Sequence, residues 1–218
     1  AKKYNLKIIE DCAQSFGAKF NKKFTGTFGD FGCFSFYPTK VLGTYGDGGF
    51  ITTKSKSNFN KLKLMRFYGI NTSKKKRKYE SEIDGTNSRM DHIQASILNY
   101  KLKNIKKDIK KRQKIANYYL KNLRNVEFLK YDSSNKEHVF HLFVIKNKNR
   151  DSIRKYLKKY KIETLIHYEN PIHRMKNYKK LASEASYSLK NSERFAKEIL
   201  SLPLYPSLRI ADQKKIVE

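Results

Sequence analysis

A lysine, Lys40, stands between an apolar run (Cys33-Phe34-Ser35-Phe36) and a turn rich in glycine (Gly46, Gly48, Gly49). Burial disfavours the ammonium form of a lysine. A free amine held where other groups can approach closely is able to attack an aldehyde and form a Schiff base. Earlier in the chain, Asp11 closes a second short apolar run that includes Ile8 and Ile9. An amine for an aldehyde and a carboxylate for a ring nitrogen are the two groups that pyridoxal phosphate chemistry requires of a protein.

Other reactive residue types give weaker signals. His138 and His141 lie three apart on an expected strand, so they face opposite sides and cannot share a metal. His167 and His173 flank Pro171 and read as ordinary loop histidines. The two cysteines, Cys12 and Cys33, lack metal-ligand spacing and fit a reduced cytosolic setting.

A chain of 218 residues can bury a sizeable core, as one large domain or two small ones. Its net charge of +28 raises the question of nucleic acid. Of the 48 basic residues, however, 38 are lysine, spread over most of the chain. Base readout and bidentate phosphate clamps favour arginine. The charge therefore reads as a solvated lysine-rich surface, and nucleic acid is not expected as a partner. The densest run, Lys74 to Lys78, reads as an exposed loop or as a rim that attracts phosphate. No apolar run reaches the roughly 18 residues of a membrane span, and the start lacks the apolar stretch of a signal peptide. A cytoplasmic protein without a membrane partner is expected.

The elements that must position Lys40 and Asp11 follow from periodicity. Leu6–Ile9 and Cys33–Phe36 read as buried strands of a parallel sheet, and Phe50–Thr53 as a third strand. Residues 58–68 have helical spacing, and 72–86 form a polar loop. Ser88, with Asp91 three residues on, reads as the capping box of a long helix. Apolar residues from Ile97 to Leu123 recur three, four or seven apart along it. Beyond it come a strand (Val139–Ile145), a helix (Ile153–Tyr160) and a short strand (Thr164–Ile166). A helix (Asn191–Leu200, with Ser192 as cap) and an extended segment (Leu202–Pro206) follow. The expected domains are 1–88, the remaining part of a large domain; 89–123, a linking helix; and 124–218, a small C-terminal α+β domain. A doubly wound sheet needs more strands than the first hundred residues supply, so an N-terminal portion is expected to be missing.

The segments EDCAQSFGA (10–18), GDFGCFSFYPTKVLGTYGDGGFITT (29–53), NSRMDHIQASIL (87–98), HLFVI (141–145) and SERFAKEILSLPLYP (192–206) resemble the DegT/StrS-type sugar aminotransferases. The resemblance implies an α/β protein of the fold type I pyridoxal phosphate (PLP) transferases. Here that means an incomplete, mainly parallel-sheet large domain plus the small α+β domain. It implies that Lys40 holds the PLP aldehyde and shuttles the proton. Asp11 would keep the pyridine nitrogen protonated, and Gln14 would lie beside the ring. Ser35 would donate to the cofactor phosphate, and Asn87 would reach the phosphate in the neighbouring subunit of a homodimer with shared active sites. The implied reaction passes an amino group, from glutamate, to a keto group on a nucleotide-diphospho sugar for polysaccharide biosynthesis. Tyr68, in Arg66-Phe67-Tyr68-Gly69, stands where many relatives carry histidine and points to 3-keto-6-deoxy sugars. Family members are much longer than this chain, and the part not represented carries backbone N–H groups for the cofactor phosphate. PLP dehydratases of the family replace the lysine with histidine, so Lys40 argues against them. The alternative from another class is a non-catalytic regulatory or basic nucleic-acid-binding member.

Overall fold

The computed structural model describes residues 1–72, 80–128, 137–178, 180 and 188–218. The basic run at 74–78 lies outside them. The described strands are β1 (Ile9–Asp11), β2 (Lys19–Phe20), β3 (Lys23–Phe24), β4 (Phe31–Ser35), β5 (Gly49–Thr52), β6 (Glu127–Phe128), β7 (Phe143–Lys146) and β8 (Ile199–Leu202). The helices are α1 (Lys56–Met65), α2 (His92–Leu102), α3 (Ile105–Asn122), α4 (Arg150–Lys159), α5 (Lys190–Glu198) and α6 (Ile210–Val217). Two compact units form: Ala1–Ile109 with Glu137–Val139, and Lys110–Lys136 with Phe140–Glu218.

In the first unit the sheet order is β1-β4-β5. β1 runs parallel to β4, with Ile9 opposite Phe31 and Asp11 opposite Cys33. β5 returns antiparallel, with Ser35 opposite Gly49. The described sheet is therefore mixed rather than mainly parallel. Residues 36–48, which join β4 to β5, form no helix, and a parallel return needs a crossover that is usually helical. β2 and β3 make a hairpin whose turn residues, Asn21 and Lys22, both have positive φ (50° and 65°), the geometry that matches strand twist.

The first strand also departs from expectation. Leu6 and Ile9 are 62 % and 67 % exposed, and pairing begins only at Ile9. Ile8 is tied to the turn before β4: its N–H donates to Asp30 Oδ2 (2.9 Å), and its carbonyl accepts from Asp30 N (2.9 Å) and Phe31 N (3.2 Å).

The core of this unit lies under the segment after β4. Phe36, Leu42 and Leu98 are buried with Phe16, Met90 and Ile105 packed on them. Val41, Ala18 and Val139 form a second cluster with Ile105 and Ile109. Phe34 and Phe36 stack on Phe50, with ring centroids 4.7 and 5.3 Å apart.

The single helix expected from residue 89 is two helices. α2 starts at His92 with Asp91 at the N-cap, while the Ser88 N–H donates instead to the Arg66 carbonyl (3.0 Å). α2 ends at Leu102, and α3 restarts after Asn104, whose carbonyl accepts the N–H groups of Lys107 (2.9 Å) and Asp108 (3.1 Å). Asparagine favours such helix starts.

The second unit packs the later part of α3 with the antiparallel sheet β6-β7-β8. Tyr119 is fully buried there, and its hydroxyl donates to the Pro203 carbonyl at 2.8 Å. The strand expected at Val139 begins only at Phe143, because Phe140 has φ +48°. The Phe140 and His141 carbonyls turn to Arg112 Nη1 (3.2 and 3.4 Å), which also donates to Leu204 O (3.1 Å). The short strand expected at Thr164–Ile166 is reduced to one bridge, Leu165 to Ser201. Ser192 lies inside α5 rather than capping it. Among the described residues, no helix is long and apolar enough to cross a membrane.

Candidate active site

Parallel strands end at the same edge of their sheet, and in open α/β sheets ligands bind outside those carboxyl ends. β1 and β4 are such a pair. β1 ends at Asp11 and β4 at Ser35; Gln14 and Lys40 follow in the segments beyond each end. The topology thus brings four of the five sequence-predicted site residues to one sheet edge.

Each is held by local structure. Asp11 Oδ1 accepts the Ala13 N–H at 3.0 Å, a turn that fixes the carboxylate at the strand end. Gln14 is exposed in that turn. The Ser35 hydroxyl accepts the Tyr37 N–H at 3.3 Å, which leaves its own proton free to donate. Lys40 is half-buried between the exposed Tyr37-Pro38-Thr39 and the buried Val41 and Leu42. Its N–H donates to the Tyr37 carbonyl at 2.9 Å, closing the turn. Val41 and Leu42 sit in separate apolar clusters, so the backbone just after Lys40 is anchored on both sides.

The base of this segment is a short ladder. Phe36 N–H donates to Gly48 O (2.7 Å), and Phe36 O accepts Thr44 N–H (2.8 Å) and the Thr44 hydroxyl (3.0 Å). Thr44 is fully buried, and its hydroxyl shares its one proton between the Phe36 and Gly46 carbonyls. A methyl group on Gly43 would lie 2.5 Å from the Pro38 carbonyl oxygen, so only glycine fits this close return.

Asn87 stands elsewhere in the unit. It is exposed and forms an antiparallel bridge with Phe67. Its Oδ1 accepts Arg89 Nε at 3.1 Å, and the Arg89 guanidinium lies over the Phe67 ring at 5.0 Å. Tyr68, next in the chain, has φ +55° and donates its N–H to Thr86 O at 3.1 Å.

The donor set suits PLP chemically: an amine for the aldehyde, a carboxylate for the ring N–H, and a hydroxyl proton for the phosphate. Among the described residues, no group of three or more His, Cys, Asp or Glu is placed to hold a metal ion.

Sequence reasoning missed Glu10. Its side chain accepts N–H groups from Phe28 (2.6 Å), Gly29 (2.7 Å) and Gly26 (2.7 Å), bracing the turn that feeds β4. Partial burial pushes its carboxyl up. The three N–H donors, with the Lys23 ammonium, outweigh that and hold it below the usual carboxylate range. The adjacent glycines at 26 and 29 are the signal that could have revealed it. Thr44 was missed too, because only the fold makes its hydroxyl a buried strut.

The fold, with a mixed β-sheet whose first two strands are parallel, is that of an α/β protein. The chain belongs to the DegT/DnrJ/EryC1/StrS aminotransferase family, which it matches over residues 1–218. It is 43 % identical to a dTDP-3-amino-3,6-dideoxy-alpha-D-galactopyranose transaminase of Aneurinibacillus thermoaerophilus, covering 100 % of this chain and 58 % of the relative. Among solved structures, S. venezuelae DesV in complex with a ketimine intermediate superimposes with a TM-score of 0.90 at 33 % identity, covering 100 % of this chain and 57 % of that one. NtdA of Bacillus subtilis with bound cofactor PMP gives 0.85 at 28 % identity, covering 100 % and 50 %. The chain thus spans little more than half the length of these relatives. The architecture is that of the fold type I enzymes.

Proposed function

We propose that the protein is a PLP-dependent aminotransferase that moves an amino group from glutamate to the keto carbon of a nucleotide-diphospho sugar. The observation that carries the reading is the shared sheet edge: the carboxylate of Asp11 and the hydroxyl of Ser35 end adjacent parallel strands, and Lys40 follows on an anchored turn. When bound, PLP supplies an aldehyde that an amine can capture and a ring that holds the electrons released at the neighbouring carbon. Lys40 contributes that amine and, once displaced, the base that carries the proton at the substrate carbon. Asp11 would accept the pyridine N–H and keep it protonated. Gln14 would flank the ring. Ser35 would donate its hydroxyl proton to a phosphate oxygen.

A 3-keto-6-deoxy sugar is the proposed acceptor. Tyr68 supports this, as does the name of the relative from Aneurinibacillus. A positively charged protein suits a diphosphate substrate. Asn87, exposed and braced by Arg89, is the residue we assign to the neighbouring subunit's cofactor in a homodimer. The domain division at 1–88, 89–123 and 124–218, the cytoplasmic location and the role in polysaccharide biosynthesis belong to the same reading.

The test is borohydride reduction of the intact protein with PLP, then peptide mass mapping. A phosphopyridoxyl group on Lys40, lost in Lys40→Ala, is expected. No label, or label scattered over surface lysines, overturns the reading. The regulatory or nucleic-acid-binding alternative would then lead, and a salt titration of nucleic-acid binding would decide it.

A further inference from the structure

We infer that Gln94 and Lys101 of α2 are positioning residues for Lys40. They are seven residues apart, two helical turns, and so lie on one face of α2. Both reach the segment just beyond Lys40. Gln94 Oε1 accepts the Tyr45 N–H at 3.0 Å. Lys101 Nζ donates to the Gly43 carbonyl at 2.7 Å and sits 4.7 Å over the Tyr45 ring. Gly43 is the residue whose backbone returns against Pro38, so a fixed Gly43 carbonyl fixes the far side of the Lys40 turn. A methyl group at Gly46 would come within 3.0 Å of Gln94 Nε2, so the amide also packs directly on the glycine-rich return.

The segment needs this clamp. Tyr45 is 77 % exposed, so its backbone gains little from burial. The internal ladder secures Phe36, Thr44 and Gly48, but the Tyr45 N–H and the Gly43 carbonyl are met from α2. A charge-assisted hydrogen bond to a carbonyl and an amide oxygen that accepts from an N–H hold an irregular loop in one conformation. A loop held in that way presents its lysine at a fixed place on the sheet edge. A loose one leaves the amine to search.

The inference rests on the reading of Lys40 as the cofactor amine, and the experiment separates the two. The intact protein is compared with Lys101→Met, Lys101→Arg and Gln94→Leu. Amide hydrogen exchange is followed without cofactor, and borohydride trapping of PLP on Lys40 is followed against pH. In Lys101→Met and Gln94→Leu, exchange over residues 43–46 should quicken about tenfold or more. Trapping at Lys40 should slow, with a shifted pH profile. Lys101→Arg keeps a cationic donor over the ring and should restore both. If the unsubstituted protein is not trapped at Lys40, the cofactor reading fails. If it is trapped, and the variants are trapped with the same rate and pH profile, the positioning role is overturned, whatever the exchange rates show.

Discussion

Replacing Glu10 by glutamine tests how the strand that carries Ser35 is secured. The side chain keeps its size, and one oxygen can still accept from Phe28 and Gly29, at 2.6 and 2.7 Å in the native protein. The new amide NH2 must then face the Gly26 N–H, which donates to the other oxygen at 2.7 Å. Two donors oppose each other, and Gly26 cannot turn away. It has φ +81°, and its Cα side lies against the Phe34 ring, where an added methyl would be 2.4 Å from the nearest carbon. Hydrogen bonds to a charged acceptor contribute about 1.5–3 kcal/mol each. Losing one and weakening two, at a site still partly wetted, gives a loss of about 2 kcal/mol. With a urea dependence of about 1–3 kcal/mol per molar, the unfolding midpoint should fall by roughly 1 M. The pH dependence gives the sharper check. A carboxylate held below its unfolded value contributes fully above that value, about 4.3 for glutamate, and loses the contribution as pH falls through the folded value. Glutamine does not titrate. Urea melts followed by circular dichroism should therefore show the full gap between native and variant at pH 7 and a narrowing gap below about pH 4. A gap of equal size at pH 7 and pH 3, or no gap at all, would refute the bracing role.

Three further outcomes are expected. Tyr119→Phe removes the donor to the Pro203 carbonyl inside a fully buried cluster, and thermal unfolding should register a loss of about 1–3 kcal/mol. Gly49→Ala puts a methyl group 2.7 Å from the Phe34 carbonyl, next to the Ser35–Gly49 register pair. It should lower both the melting temperature and the yield of PLP trapped at Lys40. Glu193→Gln breaks the fork to Arg174 (2.9 and 2.8 Å) and the contact with His173 (3.1 Å). Proteolysis at 172–178 should quicken in the variant, and high salt should narrow the difference. Arg174 first, then His173, holds the Glu193 carboxyl down to about 2, so in the native protein this protection should persist through pH 4 and fade only as pH approaches 2.

How far the sequence announced the fold depends on whether a signal is local. The strands that precede Lys40 and end at Asp11 are legible because apolar runs of the kind that makes strands lie there, and β1 and β4 form near those runs. The runs also point to a parallel sheet, but not to β1 and β4 being immediate neighbours in it, a fact of pairing that the 19 intervening residues (12–30) do not state. The helix break shows the opposite failure. Apolar spacing continues from Leu98 to Ile105, because both pack in one cluster across the break, although Leu102 between them is exposed. Only Asn104, whose carbonyl starts α3, marks the interruption, and in a lysine- and asparagine-rich chain one more asparagine carries little weight. Arg112 is hidden most deeply. It looks like one more cation in Lys110-Lys111-Arg112, yet it is buried and serves three carbonyls from two distant segments. All three contacts are made by one terminal nitrogen, Nη1, so a single buried cationic group gathers these carbonyls. The composition that makes charge uninformative on the surface of this protein therefore conceals the one cation of that run that organises the interior of the second unit. The positive φ of Phe140 goes with two of those carbonyls, of Phe140 and His141, turning to Arg112 rather than entering a ladder.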